Sequence, residues 1–217
     1  MSEENRKAIR ISVRNLVEFV LRSGDIDNRR SGNAQKDAML AGGRIHRKIQ
    51  KRMGSGYRAE VPLKHEVQDE EQEITLLVEG RADGIFTENG IPVIDEIKGM
   101  YTDISRLEEP IEVHLAQAMC YGYFYCCDKD LDGIRLQMTY CNLETEEIKR
   151  FQTDRSREEL ETWFSSVVHE YFKWARYLYH HELIRDASIG HLEFPFPYRA
   201  GQRDLVVSVY RTVSRKK

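Results

Sequence analysis

Three residues in the middle of the chain have the types and spacing to hold a hard cation and to act on a water beside it. Glu96 and Lys98 stand two apart in Ile94-Asp95-Glu96-Ile97-Lys98, and Asp83 lies thirteen residues before the glutamate, in Gly80-Arg81-Ala82-Asp83-Gly84. Between them, Asn89-Gly90 is a strong signal for a tight hairpin turn. The apolar residues on both sides predict two β-strands. Side chains alternate along a strand, so Glu96 and Lys98 point to one face, and Asp95 and Ile97 to the other. The hairpin brings Asp83 back toward Glu96. Two converging carboxylates suit a cation such as Mg²⁺. A lysine beside them can orient a water or steady charge that builds on a phosphate.

Acidic and basic residues on a hairpin are most often a solvated face. Two features set this one apart. Gly80 and Gly84 bracket Asp83, which fits a backbone bend near a ligand. The next predicted helix carries Gln117 and Tyr121, four apart and so on one face.

His46, Gly-Arg-Ala-Asp83, Glu96-Ile97-Lys98 and Gln117-Ala118-Met119-Cys120-Tyr121, taken in that order over residues 46 to 121, resemble the RecB-type branch of the PD-(D/E)XK nucleases. That branch shows a helical histidine, a G-x-x-D, a (D/E)-x-K and a Q-x-x-x-Y. The proline of the family's name is absent before Asp83. The resemblance implies a restriction-endonuclease-like α/β fold, a mixed central sheet flanked by helices. It implies metal-dependent DNA cleavage, exonuclease-like or on single strands and flaps, in repair or recombination. Asp83, Glu96 and His46 would then bind Mg²⁺ or Mn²⁺, with the carbonyl of Ile97 as a further ligand. Lys98 would position the attacking water, and Gln117 and Tyr121 would hold the site or the DNA backbone. The competing class is a nuclease-like module that senses forked DNA or a partner without cutting; the intact motif set favours the enzyme.

Some RecB-type relatives hold an iron–sulfur cluster, with one cysteine before the histidine motif and three near the C-terminus. Here Cys120, Cys126, Cys127 and Cys141 all fall between those places. No iron–sulfur cluster is expected, and buried free thiols are.

Stepping outward from the site, residues 12 to 22 predict a helix, with Ser12 as its N-cap and Val13, Leu16, Val17, Val20 and Leu21 at helical spacing. A polar segment with Arg29 and Arg30 follows. A second helix covers 34 to 53 and carries His46. Its Gly42-Gly43 pair suggests close approach of a backbone or ligand, because glycine weakens a helix. Arg44, Arg47, Lys48 and Lys51, with Arg52, give this helix a basic face, the best local candidate for DNA phosphate contacts. Strands at 57 to 68, 73 to 86 and 91 to 98 predict a meander. A helix from Pro110 to about 126 places His114, Gln117, Tyr121 and Phe124 on one stripe. An antiparallel pair follows at 133 to 142 and 146 to 153. Ser156 and Glu159 form a capping box for a long helix to about 186, whose stripe includes Trp163, Trp174 and Leu178.

The 217 residues suffice for one ordinary domain with a sizeable core. Charged residues make up 32% and apolar ones 41%, as in a soluble globular protein. The net charge of −3 supplies no global basic field for nucleic acid. No apolar run approaches the ~20 residues of a membrane helix, and the start, Met1 to Lys7, lacks the apolar core of a signal peptide; a cytoplasmic protein is expected. The absence of a Gly-rich phosphate loop argues against a Rossmann arrangement. Residues 1–190 are assigned to the nuclease domain. From 191 to 217 the composition changes: Phe194-Pro195-Phe196-Pro197-Tyr198, then Arg199 and Gln202, resemble the segment ahead of the nucleotide-binding loop in DinG/XPD-type DNA helicases. That resemblance implies a linker into a helicase motor, in the same longer chain or in trans; the alternative is a last strand of a stand-alone nuclease.

Overall fold

The computed structural model describes residues 7–23, 33–71, 73–193 and 195–215. Arg29, Arg30 and Phe194 lie outside them. The chain forms two compact units, Met1–Arg176 and Tyr177–Lys217.

The first unit is built on a six-stranded mixed sheet. Its elements in order are β1 (Lys7–Ser12), α1 (Val13–Val20), α2 (Asn33–Arg52), β2 (Arg58–Gln68), β3 (Ile74–Glu88), β4 (Ile91–Met100), α3 (Glu112–Lys129), β5 (Gly133–Asn142), β6 (Ile148–Ser156) and the start of α4 (Arg157–Ile189). This is the α/β class expected, a mixed sheet flanked by helices. The meander is present: β2 and β4 both run antiparallel to β3. The turn between β3 and β4 has Asn89 at φ 51° and Gly90 at φ 82°, the left-handed pair that an Asn-Gly hairpin adopts. The Ser156–Glu159 capping box forms in both directions, at 2.8 and 3.1 Å.

Strand β1 was not foreseen. It pairs parallel to β3, from Lys7 opposite Ile74 to Ser12 opposite Glu79. Strand β2 occupies the other edge of β3 over this stretch, so β1 and β4 share one edge and meet it end to end. Strand β4 leaves that edge at the Gly84–Asp95 pair and continues alongside β5 alone, parallel, out to Met100 opposite Asn142. The sheet therefore forks at residues 80–83 of β3.

The middle of the sheet is covered on both faces. Val93, Ile94, Asp95, Glu96 and Ile97 of β4 are all buried, as expected for a strand with helices on either side. On one face, Ile45 and Ile49 of α2 pack with Ile97 and Cys141, joined by Leu143 and Ile148. On the other, α3 and α4 meet His65 of β2 through Tyr123, Phe124 and Phe164, with ring centroids 4.9 to 5.7 Å from the imidazole. Leu160, Phe164, Val167, Val168, Phe172 and Ala175 form the buried stripe of α4. It is narrower than the sequence suggested, since Trp174 and Leu178 are exposed.

In the second unit, the tail read as a linker or a last strand carries a helix, α5 (Gln202–Ser214). None of its residues is buried. The Gln202 side chain accepts from the backbone N–H of Arg199 at 3.0 Å. No helix among the described residues is long and apolar enough to cross a membrane.

Candidate active site

Where β3 and β4 part, no strand among the described residues supplies partners to their facing edges. The side chain of Asp83 fills the gap. Its Oδ2 accepts the Ile97 backbone N–H at 2.7 Å, in place of a ladder bond. Its Oδ1 lies 3.3 Å from His46 Nδ1 on α2. One helical turn on from His46, Gln50 donates through Nε2 to the Asp83 carbonyl at 3.0 Å and to Glu60 Oε1 at 3.0 Å. Glu60 is the β2 residue opposite Asp83; it drops out of the ladder and sits at φ 54°, a conformation costly for a non-glycine residue. Asp83 is thus held at its carboxylate and at its backbone by two residues of α2 spaced i, i+4, which share a helix face.

Glu96 faces α3. It is 4% exposed. Its Oε1 takes a 2.8 Å bond from Lys98 Nζ, and Lys98 also donates to Gln117 Oε1 at 2.8 Å. Glu96 Oε2 is buried without a hydrogen-bond partner among the described residues. Burial pushes the Glu96 carboxyl up to about 7; the Lys98 ammonium opposes this, and the Asp83 charge adds to it. Burial alone would lower the His46 imidazole, but its hydrogen bond and charge interaction with Asp83 outweigh that, and its pKa is raised.

Tyr121 approaches from α3 but is turned toward β3, with its hydroxyl against the backbone at Gly80. Its ring explains Gly80: a Cβ there would lie 2.6 Å from the Tyr121 hydroxyl. Gly84 is explained in the same way by Tyr57, whose ring would be 1.9 Å from an added Cβ. The glycines flanking Asp83 therefore admit two tyrosine rings; the reading of them as a bend made for a ligand is corrected. Gly42 and Gly43 do border the site. They line a cleft of about 300 Å³ with His46, Lys98 and Gln117. Arg14 and Glu18 of α1 and His114 of α3 line it too, and none of these three was singled out as a site residue from the sequence. His114 is pushed down to about 4, by burial first and then by the Lys98 and Arg14 charges.

The structure thus brings Asp83, Glu96, Lys98, His46, Gln117 and the Ile97 backbone together, with Tyr121 one step behind. The basic face of α2 is not part of this cluster. Arg44, Arg47 and Lys51 are exposed, and Lys48 pairs with Glu146 in the turn between β5 and β6. Among the described residues, no group of three or more His, Cys, Asp or Glu side chains is gathered closely enough to hold a metal ion. The donor set nevertheless suits a hard cation. It offers two carboxylates and an imidazole, and one carboxylate oxygen is buried with nothing to bond it, which is costly unless a positive partner is supplied.

No family model matches the chain, and no curated protein does. Among solved structures, it is similar to the crystal structure of SSO0001, with 17% identity over 78% of each chain and a TM-score of 0.48. It is also similar to an alkaline exonuclease from Laribacter hongkongensis, with 13% identity over 80% of this chain and 93% of that one, at a TM-score of 0.43. The same exonuclease in complex with dAMP matches at 0.41.

Proposed function

We propose that the protein is a metal-dependent deoxyribonuclease that hydrolyses phosphodiesters at the fork of its sheet. The observation that carries this is the unpartnered, buried Oε2 of Glu96, beside Asp83 and below a lysine fixed by two acceptors. Asp83, Glu96 and His46 would hold Mg²⁺ or Mn²⁺. The Ile97 carbonyl is a natural fourth donor, because a residue's N–H and C=O leave the same edge of an extended strand and its N–H is already on Asp83. A divalent ion bound there would supply Lewis acidity to the phosphoryl group.

The chain's own residues do the rest. An ammonium has three N–H donors, and Lys98 commits two of them to Glu96 and Gln117. The third is left for a water or a phosphate oxygen. Gln117 holds the lysine in place and carries no chemistry itself. Tyr121, with its hydroxyl pushed up by burial and by the Glu96 and Asp83 charges, stays protonated and supports the Gly80–Arg81 backbone beside Asp83. The substrate expected is single-stranded or flapped DNA in repair or recombination. A helicase motor delivering that strand is supported by Phe196-Pro197-Tyr198, Arg199 and Gln202 alone.

The test is cleavage of end-labelled single-stranded, duplex and circular DNA with Mn²⁺, Mg²⁺ or chelator. Metal-dependent loss of the single strand is the expected result. No cutting in any arm, with no rise in melting temperature on adding Mn²⁺, would refute the proposal, since a ligand that binds only the native state must stabilise it.

A further inference from the structure

The cations lining the cleft are not equivalent. Lys98 is committed to Glu96 and Gln117, and His46 to Asp83. His114 is half-buried, and burial and the Lys98 and Arg14 charges hold it neutral. Arg14 alone among these keeps its charge with no catalytic carboxylate to neutralise it. Its one partner among the described residues is Glu18, one turn on, which accepts from Arg14 Nε at 2.6 Å.

That single contact decides what the guanidinium can still do. Arginine presents five N–H donors in a rigid planar fork. Using Nε on Glu18 leaves the two terminal nitrogens as an end-on fork, matched to two oxygens of one phosphate. The Arg14–Glu18 pair is an exposed i, i+4 pair, with side chains 72% and 39% exposed. Such pairs contribute little to stability, so its place on the cleft wall is not explained by folding. The topology explains the place. Strand β1 ends at Ser12, opposite Glu79 and four residues short of Asp83. Ser12 caps α1 by accepting from the Asn15 N–H. The first turn of α1 must therefore start at the fork. Val13, Leu16 and Val17 bury the other side of the helix.

We propose that Arg14, held by Glu18, receives a phosphate of a single substrate strand next to the one that is cleaved. This rests on reading the cleft as a nucleic-acid site. The cleft's volume of about 300 Å³ is at the low end of what encloses a drug-sized molecule, space on the scale of one nucleotide. Arg14 and Lys98 line the same cleft, so one strand can reach both.

The experiment uses the full chain and a single-stranded oligonucleotide of fixed sequence. Binding is measured from low to moderate salt with Mn²⁺ present, alongside cleavage and melting curves. For Arg14→Ala, the slope of log affinity against log salt should become shallower by about 0.7, one phosphate contact on a single strand. Affinity should fall about tenfold, and the Mn²⁺-induced rise in melting temperature should not change. Arg14→Lys should restore the slope but only part of the affinity, because the charge returns without the fork. Glu18→Gln should keep the slope and weaken affinity. An unchanged slope in Arg14→Ala would overturn the inference, as would loss of the Mn²⁺ shift in both Arg14 variants, which would make Arg14 a support of the site. A wild-type protein that binds strands with this Arg14 dependence but never cuts them would sink the nuclease reading and leave Arg14 as a phosphate receptor.

Discussion

Asp95 and Glu96 are adjacent, both acidic and both buried, at 0% and 4% exposure, yet the two faces of β4 treat them in opposite ways. On one face, Asp95 is fully provided for. Tyr57 donates to Oδ2 at 2.9 Å, and Gln137 and Thr139 donate to Oδ1 at 3.0 and 2.6 Å. Gln152 then extends the network by donating to Gln137 Oε1 at 2.8 Å. On the other face, Glu96 has one lysine on one oxygen and nothing on the other. A buried carboxylate with its donors in place ties strands together; one left short is kept for a ligand that the fold does not itself supply. The difference is the structural signature of a support and of a site, one residue apart.

The sharpest way to break this comparison is to remove the two carboxylates in turn. Glu96→Gln should cut DNA at least 10²–10³-fold more slowly, roughly the loss when a transition-state charge partner is deleted. It should also lose the melting shift with Mn²⁺. The metal-free protein should be as stable as wild type or more so, because the change removes an unsatisfied buried acid and its repulsion with Asp83. Lys98→Ala should lose cleavage to a similar degree but keep the Mn²⁺ shift, since Lys98 acts on water or phosphate and not on the cation. Normal cutting by either variant would end the assignment of that residue. Asp95→Ala should do the reverse of Glu96→Gln. It strands two buried donors and the half-buried Tyr57 hydroxyl, at a cost of roughly 2–4 kcal/mol, read by urea unfolding. Whatever protein remains folded should still respond to Mn²⁺. A variant of Asp95 that unfolds no more easily than wild type would show that its network is not structural.

Gln50 sharpens the comparison at smaller amplitude. It belongs to the site by position but acts like the Asp95 partners, by holding backbone. Gln50→Ala frees the Asp83 carbonyl and leaves Glu60 in its strained conformation. It should cost about 1 kcal/mol of stability and about tenfold in kcat through the looser Asp83, with KM little changed. A rise in KM with kcat intact would place Gln50 in substrate binding instead.

Much of this was legible in the residues, for identifiable reasons. Asn89-Gly90 fixed the hairpin, and strand alternation then separated Asp95 from Glu96 and Lys98 without any structure. The spacing of Gln117 and Tyr121 placed both on the cleft-facing helix. Strand β1 was missed because its partner lies in β3, far along the chain, and only Ile9 and Ile11 around Arg10 show the period of two. With β1 unseen, nothing tied α1 to the fork, so Arg14 and Glu18 had no reason to stand out. Gln50 did have a signal, its i, i+4 spacing from His46, but the target of that pair depended on the break in the β2–β3 ladder at Glu60. For the basic residues of α2, a charged helix face gives no indication of which way it is turned. Arg44, Arg47 and Lys51 flank the buried Ile45 and Ile49 and are exposed, and Lys48 is taken by Glu146.

The smallest expected effect is a pH dependence set by the groups of the cleft. Glu96 is raised from 4.5 to about 7 on folding. A raised acid contributes stability below its unfolded value, and that contribution is lost as the pH climbs through the folded one. His46, also raised above 6.5, acts in the same direction. His114, lowered from 6.5 to about 4, acts oppositely: its contribution is present above 6.5 and lost as the pH falls toward 4. Between pH 4.5 and 6.5 the Glu96 and His114 effects oppose each other, and little net slope is expected from the site. Above 6.5 His114 is neutral in both states, so Glu96 and His46 act unopposed. The metal-free protein should therefore lose stability from pH 6.5 to 8. Glu96→Gln should flatten much of that decline. With Mn²⁺ the sign should reverse, because the ion binds the deprotonated ligands and its stabilisation grows as Glu96 gives up its proton. Urea unfolding at pH 6.5 and 8, with and without Mn²⁺, measures all of this. A decline that Glu96→Gln leaves untouched would mean that Glu96 is already ionised at pH 6.5, and that the unpartnered oxygen is satisfied in solution by something other than a proton.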